Sequence, residues 1–325
     1  MKPYLRFNLV ILLFLSATMV SAHTPLDTVD GNISPETALE IDNPTKSWTL
    51  YEELDGVDYY KLHLHEGEEL RVSLYVSIWG DKHFTPSLVA MGPDIVGADE
   101  PPFEHPENLG RVIIPGERPI HSEYEPFTPA SYFYVASYSH EAQVDGDYYL
   151  AVYSAEHGGR YGMALGYRET FTLFEWIKIP LDLVSIHLWE QQPIILLFGP
   201  PIVAIVISLY YSFIRERSLK DLAQVLGKLA GVLFIASGVM TLTQMLVYIM
   251  VGGFSGSALL TLVFVVVQLG LGWVVVRSKD MTWFVWIGLG LGGLAFWAGW
   301  IIGPVLAIWA GVIQRLGARA SESSK

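Results

Sequence analysis

The C-terminal part of this chain constrains the fold more than any other feature. Residues 193–214, 228–251, 258–276 and 283–313 are four apolar stretches with short polar breaks between them, each long enough to cross a bilayer. Lipid offers no partner to a bare peptide group, so stretches of this kind must be helices that satisfy their own backbone. The expectation is a bundle of about four transmembrane helices over 193–314, in contact with membrane lipid, followed by a polar tail at 315–325. Lys228, at one end, is the only ionisable side chain in the four stretches, which argues against proton or ion coupling within the membrane. Gln244 and Gln268 read as interhelical hydrogen-bonding groups, and Pro200-Pro201 as a kink in the first span. In the last stretch Gly288, Gly292, Ala295, Gly299, Gly303, Ala307 and Gly311 recur three or four residues apart. Small residues on one helix face favour close helix packing or self-association.

Orientation follows from the other end. Lys2 and Arg6 precede the apolar run 9–15, and Val20-Ser21-Ala22 closes it with small residues. This is the pattern of a secretory signal peptide over 1–22, cleaved after Ala22, with a retained N-terminal anchor as the alternative. Export places the domain that follows outside the cell and makes the protein a multi-pass protein of the plasma membrane. Arg215, Arg217 and Lys220 then fall inside, as do Arg277 and Lys279, while the uncharged loop 252–257 falls outside, in agreement with the positive-inside rule. Four spans would leave Arg315 and Arg319 outside, against that rule. The last stretch would be about 47 Å long as one straight helix, and a break or re-entrant turn around Gly303-Pro304 would return the tail inside.

Charge divides the chain where hydropathy does. From His23 to Glu190 there are 29 acidic and 9 basic residues, a net charge of −20, while the remainder has 4 acidic and 11 basic residues and is +7. So acidic an outer region excludes nucleic acid as a partner, because phosphates would be repelled. The chain has no cysteine, so this region is held by its own core and not by disulfides. Asp58 to Val76 shows how: Tyr60, Leu62 and Leu64 alternate with Tyr59, Lys61, His63 and His65, and after Glu66-Gly67 the apolar face resumes at Leu70, Val72, Leu74 and Val76. Period two with one apolar face predicts a half-buried antiparallel hairpin. Strands are expected at 47–51, 57–65, 69–78, 87–91, 111–114, 132–138, 146–154 and 160–167, with Ser34-Pro35-Glu36-Thr37 as a capped short helix. Residues 98–129, rich in Pro and Glu, read as long surface loops. The fold class expected for 23–169 is an all-β, jelly-roll-like sandwich. Residues 170–192 mix Trp176, Ile179 and Trp189 with Lys178, Asp182 and His187, as befits an amphipathic linker helix at the membrane interface.

Several of these segments carry a resemblance. Ser34-Pro-Glu-Thr-Ala, Asp58-Tyr-Tyr-Lys-Leu and Glu66-Gly67 before an apolar strand, then Gly146-Asp-Tyr-Tyr-Leu-Ala-Val and Gly159-Arg-Tyr-Gly-Met-Ala-Leu, are similar to the bacterial pre-peptidase C-terminal (PPC) domain, and also to the GOLD type of lumenal sandwich. The arrangement of sandwich and membrane bundle resembles uncharacterised archaeal and fungal membrane proteins. PPC-like domains are accessory modules of exported enzymes, so the resemblance implies binding or interaction. It covers core and turn residues, from about Ser34 to Tyr167, and brings no catalytic role.

Three kinds of chemistry are conceivable in the outer region. Cleavage after Ala22 would leave His23 with a free amino group, a ready copper chelate, and His63 and His65 share a strand face from which they could join it in holding copper or zinc. His-x-His is equally the polar face of a strand. Asp27, Asp30, Asn32, Asp55 and Asp58 could offer oxygens to calcium, although turn chemistry accounts for them and no EF-hand loop is present. Tyr124, Phe127, Tyr132 and Tyr134 crowd one segment and could stack a carbohydrate or anchor a protein partner outside the cell, if they do not pack into the core. No Gly-x-Ser-x-Gly, His-Glu-x-x-His or phosphate-cradling loop occurs. The functional expectation is therefore a surface-exposed, non-enzymatic binding or interaction module without a cofactor. The alternatives are a copper- or zinc-handling protein and an accessory subunit of a larger membrane complex.

Overall fold

A computed structural model describes residues 23–26, 31–215, 221–278 and 280–323. The expected signal peptide, Asp27, Asp30, Arg217, Lys220, Lys279 and the last two residues of the tail lie outside the described residues. The alternating segments form strands, with β3 at Trp48–Leu54, β4 at Val57–Leu64, β5 at Glu69–Ser77, β6 at Ser87–Gly92, β7 at Gly110–Ile114, β9 at Ala130–Glu141, β10 at Gly146–Tyr153 and β11 at Gly159–Leu165. Three short strands complete them: β1 at Thr24–Pro25, β2 at Leu39–Glu40 and β8 at Glu123–Glu125. They form two sheets, in the orders β1-β3-β11-β5-β9-β8 and β2-β4-β10-β6-β7.

The stretch from Asp58 to Val76 is not a hairpin. β4 pairs with β10 and β2, whereas β5 pairs with β11 and β9, so the chain crosses from one sheet to the other at Glu66-Gly67. Gly67 takes φ +83°, a left-handed value that costs glycine little. The two apolar faces meet across the core and do not lie side by side. Tyr60, Leu62 and Leu64 pack with Leu70, Val72, Leu74, Leu150 and Met163 in one buried cluster. Each leucine there contributes about 1.5–3 kcal/mol by leaving water. Part of the expected surface loop over 98–129 is covering: Phe103 stacks edge-on to Tyr59 (ring centroids 5.8 Å apart), and the Tyr59 hydroxyl donates to the Glu104 carbonyl at 2.7 Å.

Helix α1 runs over Leu173–Trp189 and opens on a capping box, in which Thr172 Oγ1 accepts the Glu175 N–H at 3.2 Å and Glu175 accepts the Thr172 N–H at 2.8 Å. The same carboxylate pairs with Lys46 of the sandwich. At the other end, Arg160 of β11 donates to the carbonyls of Leu188 (3.2 Å) and Trp189 (3.0 Å) in the last turn, where carbonyls lack regular helical partners. α1 is thereby held to the sandwich at both ends.

Among the described residues, three helices are long and apolar enough to cross a membrane: α2 at Ile194–Leu209, extended by a wider turn over Tyr210–Arg215, α3 at Leu222–Gly252 and α4 at Ala258–Arg277. α3 is central and packs on α2, α4 and α6. Lys228, buried near the end of α3 away from the sandwich, donates to the carbonyls of Val276 (2.6 Å) and Ser278 (2.8 Å) at the C-terminus of α4. A cation there is opposite the negative end of the helix dipole.

The last apolar stretch does not form one continuous helix. It folds into α5 at Trp283–Ala295 and α6 at Ile302–Ser323, which lie antiparallel, Gly290 against Pro304 and Ile308 and Gly311 against Trp283 and Ile287. The turn between them takes Trp297, Gly299, Trp300 and Ile301 through positive φ, from +50° to +70°. Neighbouring helices satisfy the peptide groups it frees: the Gly299 N–H donates to Ser237 Oγ at 2.7 Å and Gln268 Nε2 donates to the Phe296 carbonyl at 2.9 Å. Irregular backbone at membrane depth survives only on such terms. The break falls before Gly303-Pro304, which open α6. Gln314 Nε2 donates to the Met281 carbonyl at 2.8 Å, so the tail returns to the end where α5 began. Gly299 and Gly303 pack on Phe234 of α3, but an added Cβ at Gly288 would meet nothing within 4 Å, and one at Gly292 only Leu271 at 3.9 Å. The expected small-residue face is thus divided: half packs within the chain and half faces away.

Candidate functional site

The sheet containing β5 has two faces. One is the sandwich core; the other carries Thr49 and Tyr51 of β3, Tyr75 of β5, and Tyr132 and Tyr134 of β9, alternate residues that point toward the helices. Registry brings them together, since Gly162 of β11 is opposite both Tyr51 and Tyr75. Gly162 has no side chain where the Tyr75 ring lies; a Cβ there would be 2.1 Å from the ring. The ring crosses β11 over that gap and its hydroxyl reaches Thr49 Oγ1 at 2.5 Å. Tyr132 and Tyr134 complete the aromatic floor, with centroids 4.6 and 5.5 Å from that of Tyr75.

The opposite wall comes from the helices and from the segment after β8. Trp176 of α1 packs on Trp297 at the tip of the α5–α6 hairpin, 4.8 Å between centroids, and Phe127 lies 6.1 Å from the same indole. Trp297 holds φ +54°, a conformation that costs a bulky L-residue energy and is kept only where the surroundings impose it. Between floor and wall is a small cavity of about 40 Å³, enough for a few waters or one compact group.

The polar atoms of this cavity define its chemistry. The Glu125 carboxylate accepts the Phe127 N–H at 3.2 Å, and burial lifts its pKa to about 7. His23 Nδ1 lies 2.6 Å from Ser47 Oγ, and burial lowers its pKa to about 4, so the imidazole is neutral at neutral pH. Burial likewise pushes the phenols of Tyr51, Tyr75, Tyr132 and Tyr134 above their usual range. Three buried groups on lining residues, Thr128 Oγ1, the Tyr132 hydroxyl and the Trp297 indole N–H, have no hydrogen-bond partner among the described residues. An unpaired buried donor costs about 1–3 kcal/mol. None of the described lining residues is lysine or arginine.

A second buried polar group ties this junction together. His187 and Glu190 at the end of α1 meet at 2.8 Å, and the Tyr248 hydroxyl of α3 donates to the same carboxylate oxygen. Gln192 donates to Gln244 of α3, while the Trp189 indole N–H donates to the Glu52 carbonyl of β3 at 2.9 Å. Tyr124 of β8 donates to Thr261 Oγ1 of α4 at 3.0 Å. Sandwich, linker helix and bundle therefore share one polar and aromatic seam.

These positions correct one expectation. Tyr124, Phe127, Tyr132 and Tyr134 are not an outward-facing ligand surface: they face the bundle, because the second face of the sheet is covered by membrane helices and not by water. Tyr124 and Tyr132 are buried, and Phe127 and Tyr134 partly so. The metal candidates fall in different places. His23 precedes β1 in one sheet, whereas His63 is on the exposed face of β4 in the other and His65 follows directly after that strand, 5.3 Å apart between rings and beside Asp147 (2.8 Å) and Asp145 (3.8 Å) respectively. Among the described residues no group of three or more His, Cys, Asp or Glu side chains is arranged to hold a metal ion, the described turn aspartates expected for calcium included. Asp58 accepts instead from the Tyr161 hydroxyl at 2.7 Å.

Nothing in their sequence context singles out Tyr51, Tyr75, Glu125, Trp176 and Trp297 as one site. The available signal is aromatic residues at alternate positions on the nominally polar face of β3 and β5.

No protein-family model matches the chain, and no curated protein matches it. Among solved structures, the pre-peptidase C-terminal domain of a collagenase from Bacillus anthracis is similar at 15% identity and a TM-score of 0.24, over 39% of this chain and 93% of that one. At that level the likeness assigns neither a family nor an activity.

Proposed function

We propose that the chain is a non-enzymatic binding protein of the plasma membrane, with its sandwich outside the cell and its binding element at the sandwich–bundle junction. The observation that carries this reading is a partly enclosed aromatic cavity, built jointly by both parts of the molecule, whose lining residues carry three buried polar groups without a partner among the described residues. Unpaired buried groups beside a shaped cavity are what a small ligand with matching polarity would satisfy. The orientation is supported by the returned tail. Arg277, Arg315 and Arg319 belong to the end of the bundle away from the sandwich, where the positive-inside rule puts the cytoplasm.

A thermal-shift panel on the full chain in lipid nanodiscs tests this, using probes of two to four heavy atoms: methylammonium, formate, acetate, ethanol and urea. Stabilisation by one class, lost when Thr128→Trp fills the cavity, is expected. Stabilisation by none, or turnover of an ester, peptide or glycoside that Glu125→Gln abolishes, contradicts it.

Outward-facing Gly288 and Gly292 favour a partner helix in the membrane, hence a place in a larger assembly or self-association, and this is compatible with a ligand at the junction. Copper or zinc handling by His23 with His63 and His65 gains no support from histidines held in separate sheets.

A further inference from the structure

Phe198, Pro201, Ile202 and Ile205 of α2 recur three or four residues apart and therefore share one helix face. They form one wall of a groove of about 310 Å³, and Pro180, Leu181 and Val184 of α1 form the other. Met240 of α3 and Trp300 of the α5–α6 turn complete the lining, which shares no residue with the junction cavity. Two causes keep the groove open. Pro180 and Pro201 stand inside their helices, where proline removes a backbone hydrogen bond and bends the axis. In addition, α1 is fixed to the sandwich at both ends, by Glu175 with Lys46 and by Arg160, and so is not free to close onto α2.

We infer that this groove holds part of one acyl chain of a lipid in the leaflet on the sandwich side. Depth, chemistry and continuity all point to that occupant. α2 starts at the sandwich, just after Trp189 and Gln192, which are held by β3 and α3. Phe198 to Ile205 thus lie about 6–17 Å along the helix, the acyl region of a leaflet whose hydrocarbon is about 15 Å deep. Of the described lining residues none is charged, and only Trp300 carries a side-chain hydrogen-bond donor. Water gains nothing in such a space: apolar cavities of about 150 Å³ already stay dry and take up apolar molecules. Leu181 and Ile202, each more than half exposed, lead from the groove onto Ile195 and Val206, exposed apolar residues of α2. The opening therefore faces hydrocarbon, and a chain lying in the groove runs on into the bilayer. Left empty, the walls would lose their dispersion contacts on that side. The volume is at the lower end of the roughly 300–1,000 Å³ of ligand sites, which suits a part of one chain.

The test uses the full chain in phosphatidylglycerol nanodiscs that contain a small fraction of phosphatidylglycerol with a diazirine midway along one acyl chain. After irradiation, the labelled residues are read by mass spectrometry. Met240 is the diagnostic position, because it lines the groove yet is only 5% exposed, out of reach of lipid that merely surrounds the bundle. Val203, 57% exposed on another face of α2, reports ordinary lipid contact. Met240 is expected to label at least as strongly as Val203. Val184→Phe, which fills the groove from α1, is expected to cut labelling of Met240 by about tenfold, a shift of about 1.4 kcal/mol, and to leave Val203 unchanged. Ile202→Phe fills the groove from α2 and should do the same, and the comparison of Met240 with Val203 in the parent chain needs no variant at all. Labelling of Val203 without Met240 overturns the assignment, and so does labelling of Met240 that ignores both fillings. Absence of label at both positions overturns it too, because α2 would then not face lipid. If Met240 stays unlabelled in nanodiscs that hold two chains, the groove belongs to a second copy and not to a lipid.

Discussion

His187 and Glu190, three residues apart at the end of α1, meet at 2.8 Å with their side chains almost wholly shielded from solvent, and Tyr248 of α3 donates to the same carboxylate. A carboxylate shut away between the sandwich and a membrane helix is tolerable only because both neighbours address it. Removing it or them should therefore loosen the junction without unfolding the sandwich. Glu190→Ala is expected to cost about 3–5 kcal/mol, and Tyr248→Phe about 1–2 kcal/mol. Thermal unfolding of the full chain in detergent checks both, and hydrogen exchange should rise first in α1. A Glu190→Ala protein as stable as the parent would show that the cluster does not bind the two parts together.

Gly162 allows the Tyr75 ring to lie across β11. A methyl group there would be 2.1 Å from the ring, so Gly162→Ala must push the ring off Thr49 and out of the aromatic floor. Overpacking of this kind costs about 1–3 kcal/mol. Because the cause is steric and local, Tyr75→Ala in the same chain should recover part of the loss. Two additive penalties, measured in a double-mutant cycle, would contradict the contact.

The antiparallel α5–α6 hairpin predicts three full crossings between Ile194 and the tail, and that number has a direct readout. Single cysteines placed at Ala318, Ser278 and Ser255 should label with a membrane-impermeant reagent so that the first two react from one side and the third from the other. A cysteine at 318 that reacts from the same side as one at 255 would restore a fourth crossing. Ser237→Ala, which leaves the Gly299 N–H without its acceptor, should destabilise the hairpin tip by about 1–3 kcal/mol.

Much of this architecture is legible in the chain. The long strands and the membrane helices follow from periods of two and from apolar length, and the pause at Gly299 is visible as one glycine among several. What alternation cannot say is which strand a face is paired beside. Leu62 and Val72 present the same pattern whether β4 and β5 share a sheet or oppose one another, and only the partners β10 and β9 decide. The site is harder to see. Tyr132 and Tyr134 are noticeable, but their direction depends on what covers the outer face of the sheet, and a polar-looking face next to Tyr75 gives no hint of a membrane helix. Glu125 cannot be distinguished among 29 acidic residues of the outer region; its surroundings come from β1, α1 and the hairpin tip, all distant in sequence.

Glu125 also makes the pH dependence specific. Its carboxyl is raised from 4.5 to about 7 by burial, so between these values the folded chain holds a proton that the unfolded chain has released. Stability contributed by this group must then fall as pH rises from about 4.5 to about 7 and stay level above. His23 acts in the opposite sense over part of that range: with its pKa lowered from 6.5 to about 4, acidification through that interval costs stability. The other titratable groups near Glu125 are Tyr51, Tyr75, Tyr124 and Tyr134, whose phenols stay neutral here, and Glu169, which repels it. Glu125→Gln should thus raise the melting temperature at about pH 8, in the absence of ligand, and leave it unchanged at about pH 4. A variant less stable than the parent at the higher pH would show that the carboxylate is already compensated within the chain.

The central claim is that occupancy of the junction cavity joins the sandwich to the bundle, and hydrogen exchange of the full chain in lipid nanodiscs, with and without the small probe that stabilises it most in the thermal panel, tests it most directly. The account predicts that this probe slows exchange together in β9, in the first turns of α1 and in the turn from Phe296 to Ile301, three segments that contribute residues to the cavity. Protection confined to the exposed face of β4 around His63 and His65, or no protection anywhere, would contradict it.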